Sequence, residues 1–261
     1  MPASLDQIVA ATRKRVAQNR TRAARELERQ AEGHRPRGFR RSLEEVGRLQ
    51  PAVIAELKKA SPSRGLIRAD FDPTKLAAEL AGAGAAALSV LTDEEHFQGS
   101  LENLRKASSA TKLPCLRKDF IVDEVQILEA RANCADAILL IVAALTQEEL
   151  VRLAGRAADF DLDVLCEVHD ETELKRAIDA GCKLIGVNSR DLRTFHVDLQ
   201  TAFRLAEKMP KNVLSVAESG IHNSGDIMQL RDAGYGAFLI GESLMKAESP
   251  GMALRALLGG K

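Results

Sequence analysis

Val53-Ile-Ala-Glu-Leu-Lys-Lys-Ala-Ser-Pro-Ser-Arg-Gly65 is an apolar run that ends in charge. Val53-Ile-Ala reads as the start of a short buried strand. Glu56 and Lys58 stand two residues apart, so on a strand both side chains point to the same face. Ser61-Pro-Ser-Arg-Gly65 then breaks the strand into a loop. Opposite charges on the inward face of a strand are costly unless they are paired or used. Two readings stand at this point: a structural ion pair, or two groups that handle protons.

The rest of the chain repeats the pattern. Seven further brief apolar runs follow: Ala87-Leu-Ser-Val-Leu91, Leu113-Pro-Cys-Leu116, Ala137-Ile-Leu-Leu-Ile-Val142, Val164-Leu-Cys-Glu-Val168, Leu184-Ile-Gly-Val187, Val213-Leu-Ser-Val-Ala217 and Ala237-Phe-Leu-Ile240. Each is apolar enough to be buried on both faces, as parallel strands are. Helical patterns with readable starts lie between them. Asp72-Pro-Thr offers a cap and a proline at the first helical position. Thr146-Gln-Glu-Glu149 fits a capping box, and Asp170 and Asn223 open further helices. Gly181 and Gly234 stand where helices end. Eight strand–helix units, spaced by roughly 20 to 35 residues, predict a (β/α)8 barrel over residues 51–261. An open doubly wound sheet is the competing fold. It ordinarily carries a glycine-rich phosphate turn after its first strand, and Ser61-Pro-Ser-Arg-Gly65 is not one.

Bulk properties narrow the classes. The chain has 261 residues, 45% hydrophobic and 28% charged, enough for a sizeable core. Lys+Arg and Asp+Glu balance at 37 each, so no global field recruits nucleic acid or an anionic membrane. With no Trp and one Tyr, base-stacking platforms are not expected. Cys115, Cys134, Cys166 and Cys182 are widely spaced with no C-x-x-C pair. Reduced thiols in a cytoplasm are therefore expected, not a zinc site or disulfide framework. No apolar run of about 18 residues and no signal-peptide core appear.

Residues 1–50 differ, with 12 Lys/Arg against 6 Asp/Glu. Leu5, Ile8, Val9 and Val16 fall at helical spacing, with Thr12 on the same face. Arg22 to Arg29 continues the helical character. The expectation is a helical extension packed on the barrel with its arginines in water; a basic arm for nucleic acid is the alternative. Phe39 reads as an isolated apolar anchor, and Leu43-Glu-Glu45 as a short turn.

In a barrel, residues at the carboxyl ends of strands share one mouth. Those positions carry Glu56 and Lys58, Lys118, Glu167, Asn188 with Arg190, and Glu218-Ser219-Gly220. Each has a bland explanation alone: a helix-dipole partner, a solvated rim residue, a turn former. Together, two lysines, three glutamates, an amide and an arginine point to a site that moves protons. Ser219-Gly220-Ile221 and Gly241-Glu242-Ser243 match the paired loops that hold a phosphate in many barrels, with glycine and helix-terminal N–H groups receiving the anion. Glu242 is then expected to turn its carboxylate away and offer only its backbone. Two ordinary β–α turns are the alternative.

Ile54-Ala-Glu-Leu-Lys-Lys-Ala-Ser-Pro-Ser63, Leu116-Arg-Lys-Asp-Phe-Ile-Val-Asp123, Cys166-Glu-Val-His169, Ile185-Gly-Val-Asn-Ser-Arg-Asp-Leu192, Val216-Ala-Glu-Ser-Gly-Ile221 and Leu239-Ile-Gly-Glu-Ser-Leu-Met245 together resemble the indole-3-glycerol-phosphate synthase family. The similarity runs from about Leu43 to the C-terminus. It implies conversion of 1-(2-carboxyphenylamino)-1-deoxyribulose 5-phosphate to indole-3-glycerol phosphate, CO2 and water, with no cofactor and no metal.

The same resemblance implies roles. Lys118 would be the acid near the ketone oxygen. Lys58 and Glu167 would serve the dehydration, with Glu56 holding Lys58. Asn188 and Ser219 would position sugar hydroxyls. Arg190 would bind the anthranilate carboxylate, beside Phe97, Phe120 and Leu192 as an apolar slot, with Glu218 also on the substrate. Ser61 and Ser63 would meet substrate when the 59–70 loop closes as a lid. Gly220, Gly241, Glu242 and Ser243 would hold the phosphate. The expected partner is a phosphorylated small molecule, handled by a monomer or weak oligomer. A phosphoribosylanthranilate isomerase-like enzyme would need a Cys and an Asp where Lys58 and Asn188 stand. A non-catalytic phosphometabolite-binding barrel is the remaining alternative.

Overall fold

The computed structural model describes residues 4–19, 24–192 and 194–259. Eight strands close into a barrel: β1 Ala52–Leu57, β2 Ala87–Leu91, β3 Cys115–Lys118, β4 Ala137–Ile141, β5 Asp163–Val168, β6 Leu184–Asn188, β7 Leu214–Glu218 and β8 Ala237–Ile240. Every neighbouring pair is parallel, and β1 joins both β2 and β8. The (β/α)8 expectation holds. The open sheet is excluded because no strand edge is left unpaired.

The strands divide their side chains by alternation. On β1, Ala52 and Ile54 join the inner cluster with Leu116, Leu139, Leu165, Val216 and Leu239. Val53, Ala55 and Leu57 instead pack outward against the helices. Glu56 is therefore an inward residue one layer above Ile54, which is what a period of two dictates. Both faces are dry, hence the unbroken apolar runs.

The helix signals act as expected. Asp72 accepts from the backbone N–H groups of Thr74 and Lys75. Thr146 and Glu149 form a reciprocal capping box, and Asn223 with Asp226 forms another. Asp170 accepts from the N–H of Glu173. Gly181 and Gly234 take φ of 78° and 107°, the left-handed conformation that lets the chain leave a helix and re-enter the sheet. Some boundaries differ: Leu113 and Pro114 precede β3, Val213 precedes β7, and Val142 follows β4 in a short 3-10 turn.

The N-terminal segment needs larger corrections. Helix α1, Leu5–Asn19, buries Ile8, Thr12 and Val16 as its stripe predicts. Its arginines are not simply in water: Arg13 grips Glu149 through two contacts of 2.9 and 3.0 Å. Helix α2 spans Ala24–Glu32, and the Arg22–Ala23 start of the expected helical run lies outside the described residues. Phe39 and Leu43 are not an anchor and a turn. They lie four apart on one helix, α3 Phe39–Gly47, both fully buried in the inner cluster, where they close the floor of the barrel.

Arg37, just before α3, is a latch that sequence reading passed over. Its guanidinium meets the buried carboxylate of Asp136 at 3.0 Å through Nε and 2.5 Å through Nη2. His34 Nε2 adds a contact of 3.2 Å to the same carboxylate. Asp136 also accepts the backbone N–H groups of Arg37 and Cys115, each at 2.7 Å. Cysteines far apart in sequence also meet, with Cys166 Sγ 2.7 Å from Cys182 Sγ. Among the described residues no helix is long and apolar enough to cross a membrane.

Candidate active site

The mouth at the carboxyl ends of the strands is a pocket lined by residues from all eight strands. Register brings them level: Glu167 of β5 pairs with Ile141 and Gly186, and Asn188 of β6 with Glu218 of β7. Glu56, Lys58, Lys118, Glu167, Asn188, Ser219, Ser61, Ser63, Phe97, Phe120, Arg190, Leu192, Glu218 and Glu242 all line it.

Lys58 Nζ donates to Glu56 Oε1 at 2.8 Å, and Ser89 Oγ reaches the other carboxylate oxygen at 3.4 Å. Gly241 makes room for this carboxylate, since a Cβ there would lie 2.5 Å from Glu56 Oε1. Burial alone would raise the Glu56 pKa, but the fields of Lys58 and Lys118 hold it below the usual range. Lys118 Nζ lies 3.4 Å from Glu167 Oε2. Burial pulls Lys118 toward neutrality, yet the Glu167 carboxylate first, and Glu56 with it, outweigh burial and keep it cationic.

Two glutamates in this mouth are driven in opposite directions. Burial works against charge on Glu167, but Lys118 and His169 overcome it and hold it ionised. Glu218 is pushed far above the usual carboxylate range, by burial first and then by the charge of Glu167. Its Oε1 has no hydrogen-bond partner among the described residues. Beside the charged Glu56, a carboxyl held toward its ionised form and another driven toward its protonated form thus share the site, the arrangement that separates base from acid.

Ser219 Oγ donates to Asn188 Oδ1 at 2.9 Å, and the Arg190 N–H reaches the same oxygen at 3.0 Å. Ser219 and Gly220 both have positive φ, 66° and 78°, so β7 ends in a tight reversal. Phe97 and Phe120 face each other with ring centroids 6.2 Å apart.

The phosphate-loop residues are placed differently from the rest. Gly220, Gly241 and Ser243 do not line the pocket, and Ser243 Oγ ties the two loops by donating to the carbonyl of Ile221 at 3.5 Å. The expectation for Glu242 is overturned. Its carboxylate is at the mouth, held by Arg64, Arg190 and Lys246 at 3.0, 3.4 and 2.6 Å. Three cations around one anion make that position favourable.

Comparison with known proteins accords with this geometry. The sequence profile described as Indole-3-glycerol phosphate synthase matches residues 5–257. A protein of that name from Koribacter versatilis is 60% identical over 260 residues, 99% of this chain and all of the relative. Another from Polaromonas sp. is 46% identical over 258 residues, 98% of each. The chain belongs to the indole-3-glycerol phosphate synthase family. Among solved structures, a 3-hexulose-6-phosphate synthase superposes with a TM-score of 0.62 at 15% identity, covering 80% of this chain and 98% of that one. A tryptophan synthase α-subunit from Pyrococcus furiosus gives 0.62 at 12%, with the same coverage. These two show the barrel alone.

For this synthase-family chain, sequence reading missed Asp119, which lines the mouth, and His169, which touches Glu167 from a neighbouring cavity. His169 Nε2 lies 3.4 Å from Glu167 Oε1, and its Nδ1 lies 3.0 Å from Glu173 Oε2. The signal was present: His169 follows Glu167 by two residues, as Lys58 follows Glu56.

Proposed function

We infer that the mouth closes an indole ring. As an indole-3-glycerol phosphate synthase, the chain is a carboxy-lyase of tryptophan biosynthesis. It converts 1-(2-carboxyphenylamino)-1-deoxyribulose 5-phosphate to indole-3-glycerol phosphate, CO2 and water. The observation that carries the reading is the convergence of Lys58, Lys118, Glu56, Glu167 and Glu218 in one pocket, with Lys58 Nζ 2.8 Å from Glu56 Oε1 and Lys118 Nζ 3.4 Å from Glu167 Oε2.

The chemistry uses those groups in order. The ring carbon bearing the carboxylate attacks the ketone carbon, and Lys118 gives a proton to the oxygen as it becomes hydroxyl. Loss of CO2 returns its bonding electrons to the ring and restores aromaticity. The hydroxyl then leaves as water with a proton from Lys58, while Glu167 takes a proton from the carbon next to nitrogen. Glu56 keeps Lys58 aimed. Glu218, as a neutral acid, donates a hydrogen bond to substrate.

The remaining groups bind. Asn188 and Ser219 hold sugar hydroxyls, and Arg190 takes the anthranilate carboxylate over the slot formed by Phe97, Phe120 and Leu192. Arg190 exchanges part of its contact with Glu242 in doing so. Backbone N–H groups at Gly220, Gly241, Glu242 and Ser243 receive the phosphate. Ser61 and Ser63 belong to a lid. In support, Ala60–Ser61 and Gly65–Leu66 form a small antiparallel ladder over the mouth, and Arg68 anchors its base to the carbonyls of Met245 and Ala247.

The chain works in the cytoplasm as a monomer or weak oligomer without nucleic acid, a reading its balanced charge supports. Residues 1–50 are a helical extension of one domain whose barrel spans 51–261, with Phe39 and Leu43 in the floor as the support. The test of function is direct. Substrate added without metal should yield indole fluorescence at a rate proportional to enzyme; confirmed binding with no product would favour a binding-only barrel.

A further inference from the structure

Glu167 touches two cations, one on each oxygen. Lys118 reaches Oε2 from β3, and His169 faces Oε1 from the end of β5. Only the first is part of the reaction scheme above. The second belongs to a chain of three groups: Glu167, His169 and Glu173.

Glu173 lies in the first turn of the helix Glu171–Asp179 and fixes the histidine twice. Its Oε2 accepts the His169 backbone N–H at 2.8 Å and faces Nδ1 at 3.0 Å. Asp170 caps the same turn by accepting the Glu173 N–H at 2.8 Å. The ring is therefore placed by helix geometry, not by the substrate. Its Nε2 has no hydrogen-bond partner in the described residues, so the contact with Glu167 is one of charge across 3.4 Å.

We propose that His169 is a positioning residue, whose imidazolium, clamped by Glu173, keeps Glu167 ionised and oriented as the base of the dehydration step. This rests on the reading of Glu167 as that base. The electrostatic surroundings fit the role. Glu167 is buried to 1% exposure, sits opposite Glu218, and would otherwise share a proton with it. The charged groups facing the imidazole are Glu167 on its own strand and Glu173 on the following helix. Together they raise His169 to about 10 despite burial, so it is cationic at neutral pH. Lys118 lies beyond Glu167.

A second cavity gives the ring a route to water. It has a volume of about 540 Å³, and its walls include His169, Glu173, Asn188 and Arg190. Asn188 and Arg190 also line the catalytic mouth. His169 thus stands between the dry base and a wetter compartment, where its proton can equilibrate without crossing the bound substrate.

The test is a pair of pH profiles. In His169→Asn, turnover should fall about tenfold at neutral pH, KM should stay within about twofold, and the acid limb of kcat should rise by about one pH unit. His169→Gln also removes the cation while keeping an amide that can donate; its limb should move the same way by a similar amount. It decides the matter if His169→Asn does not fold, as judged by circular dichroism. An acid limb that stays in place in the folded variants overturns the proposal, whatever happens to the rate. Glu167→Gln separates the two readings. If it is inactive and the limb does not move, only the histidine proposal fails. If it turns over normally, the base assignment fails and this proposal with it.

Discussion

Lys118 Nζ lies 3.4 Å from Glu167 Oε2, although β3 and β5 are separated in the barrel by β4. Strand tilt and inward alternation bring them over the same point of the mouth. Each holds the other charged in a place where burial alone would neutralise both. The acid proposed for the first step and the base proposed for the last are therefore both charged before substrate arrives.

Lys58 acts later in this scheme, so its loss should be visible as an intermediate. In Lys58→Met, product formation should slow by about 10²- to 10⁴-fold. Rapid quench with mass detection should find a species that has lost CO2 but not water. Accumulation of unreacted substrate alone would move Lys58 to the first step.

Gly186 gives Glu218 its seat. A Cβ on Gly186 would fall on Glu218 Oε1, and 3.2 Å from Leu165 Cδ1. Gly186→Ala should therefore cost about 1–3 kcal/mol in urea unfolding and push the neutral carboxyl into the mouth, raising KM. An unchanged midpoint and KM would show that the carboxyl has room to spare.

The floor latch should make stability depend on pH. Burial opposes charge on His34, but its contacts with Asp136 and Cys134 prevail and raise it to about 9 from 6.5. A raised folded pKa means that the stabilisation is complete below about 6.5 and is lost as pH climbs toward 9. Asp136 has the opposite sense. Burial raises it, the contacts with His34 and Arg37 win, and its contribution is lost only as pH falls below the ordinary carboxylate range. The unfolding free energy of the wild type from urea titrations should therefore drop between pH 6.5 and 9, by about 1–3 kcal/mol at most. His34→Gln should flatten that slope.

Arg64 spans from the lid ladder to Glu242 at 3.0 Å, and its side chain is 55% exposed. An exposed pair of this kind contributes about 0–1 kcal/mol. Arg64→Ala should raise KM by no more than about fivefold, with kcat nearly unchanged. A large fall in kcat would give Arg64 a part in the chemistry.

The barrel was legible because its signals are local. Runs such as Ala137–Ile141, buried on both sides, and caps such as Asp72 and Thr146 state their roles within a few residues. The mouth was legible too, since strand ends of a barrel converge wherever the helices lie. Arg37 was not, because its meaning depends on Asp136, 99 residues away, and a lone arginine in a basic segment carries no sign of a buried partner. Phe39 and Leu43 were mistaken because two apolar residues four apart in a polar segment look alike whether they meet solvent or a barrel floor. Glu242 was misjudged from its own charge; the cations that seat it come from the lid, from Arg190 and from its own helix.

The central claim is that Lys118 supplies the proton for ring closure. Single-turnover reaction of Lys118→Met with the carboxyphenylamino substrate, followed by indole fluorescence and CO2 release, tests it most directly. Binding near the wild-type level is expected, with neither CO2 nor product formed, a loss of about 10³-fold or more. Product formed at an undiminished rate would contradict it.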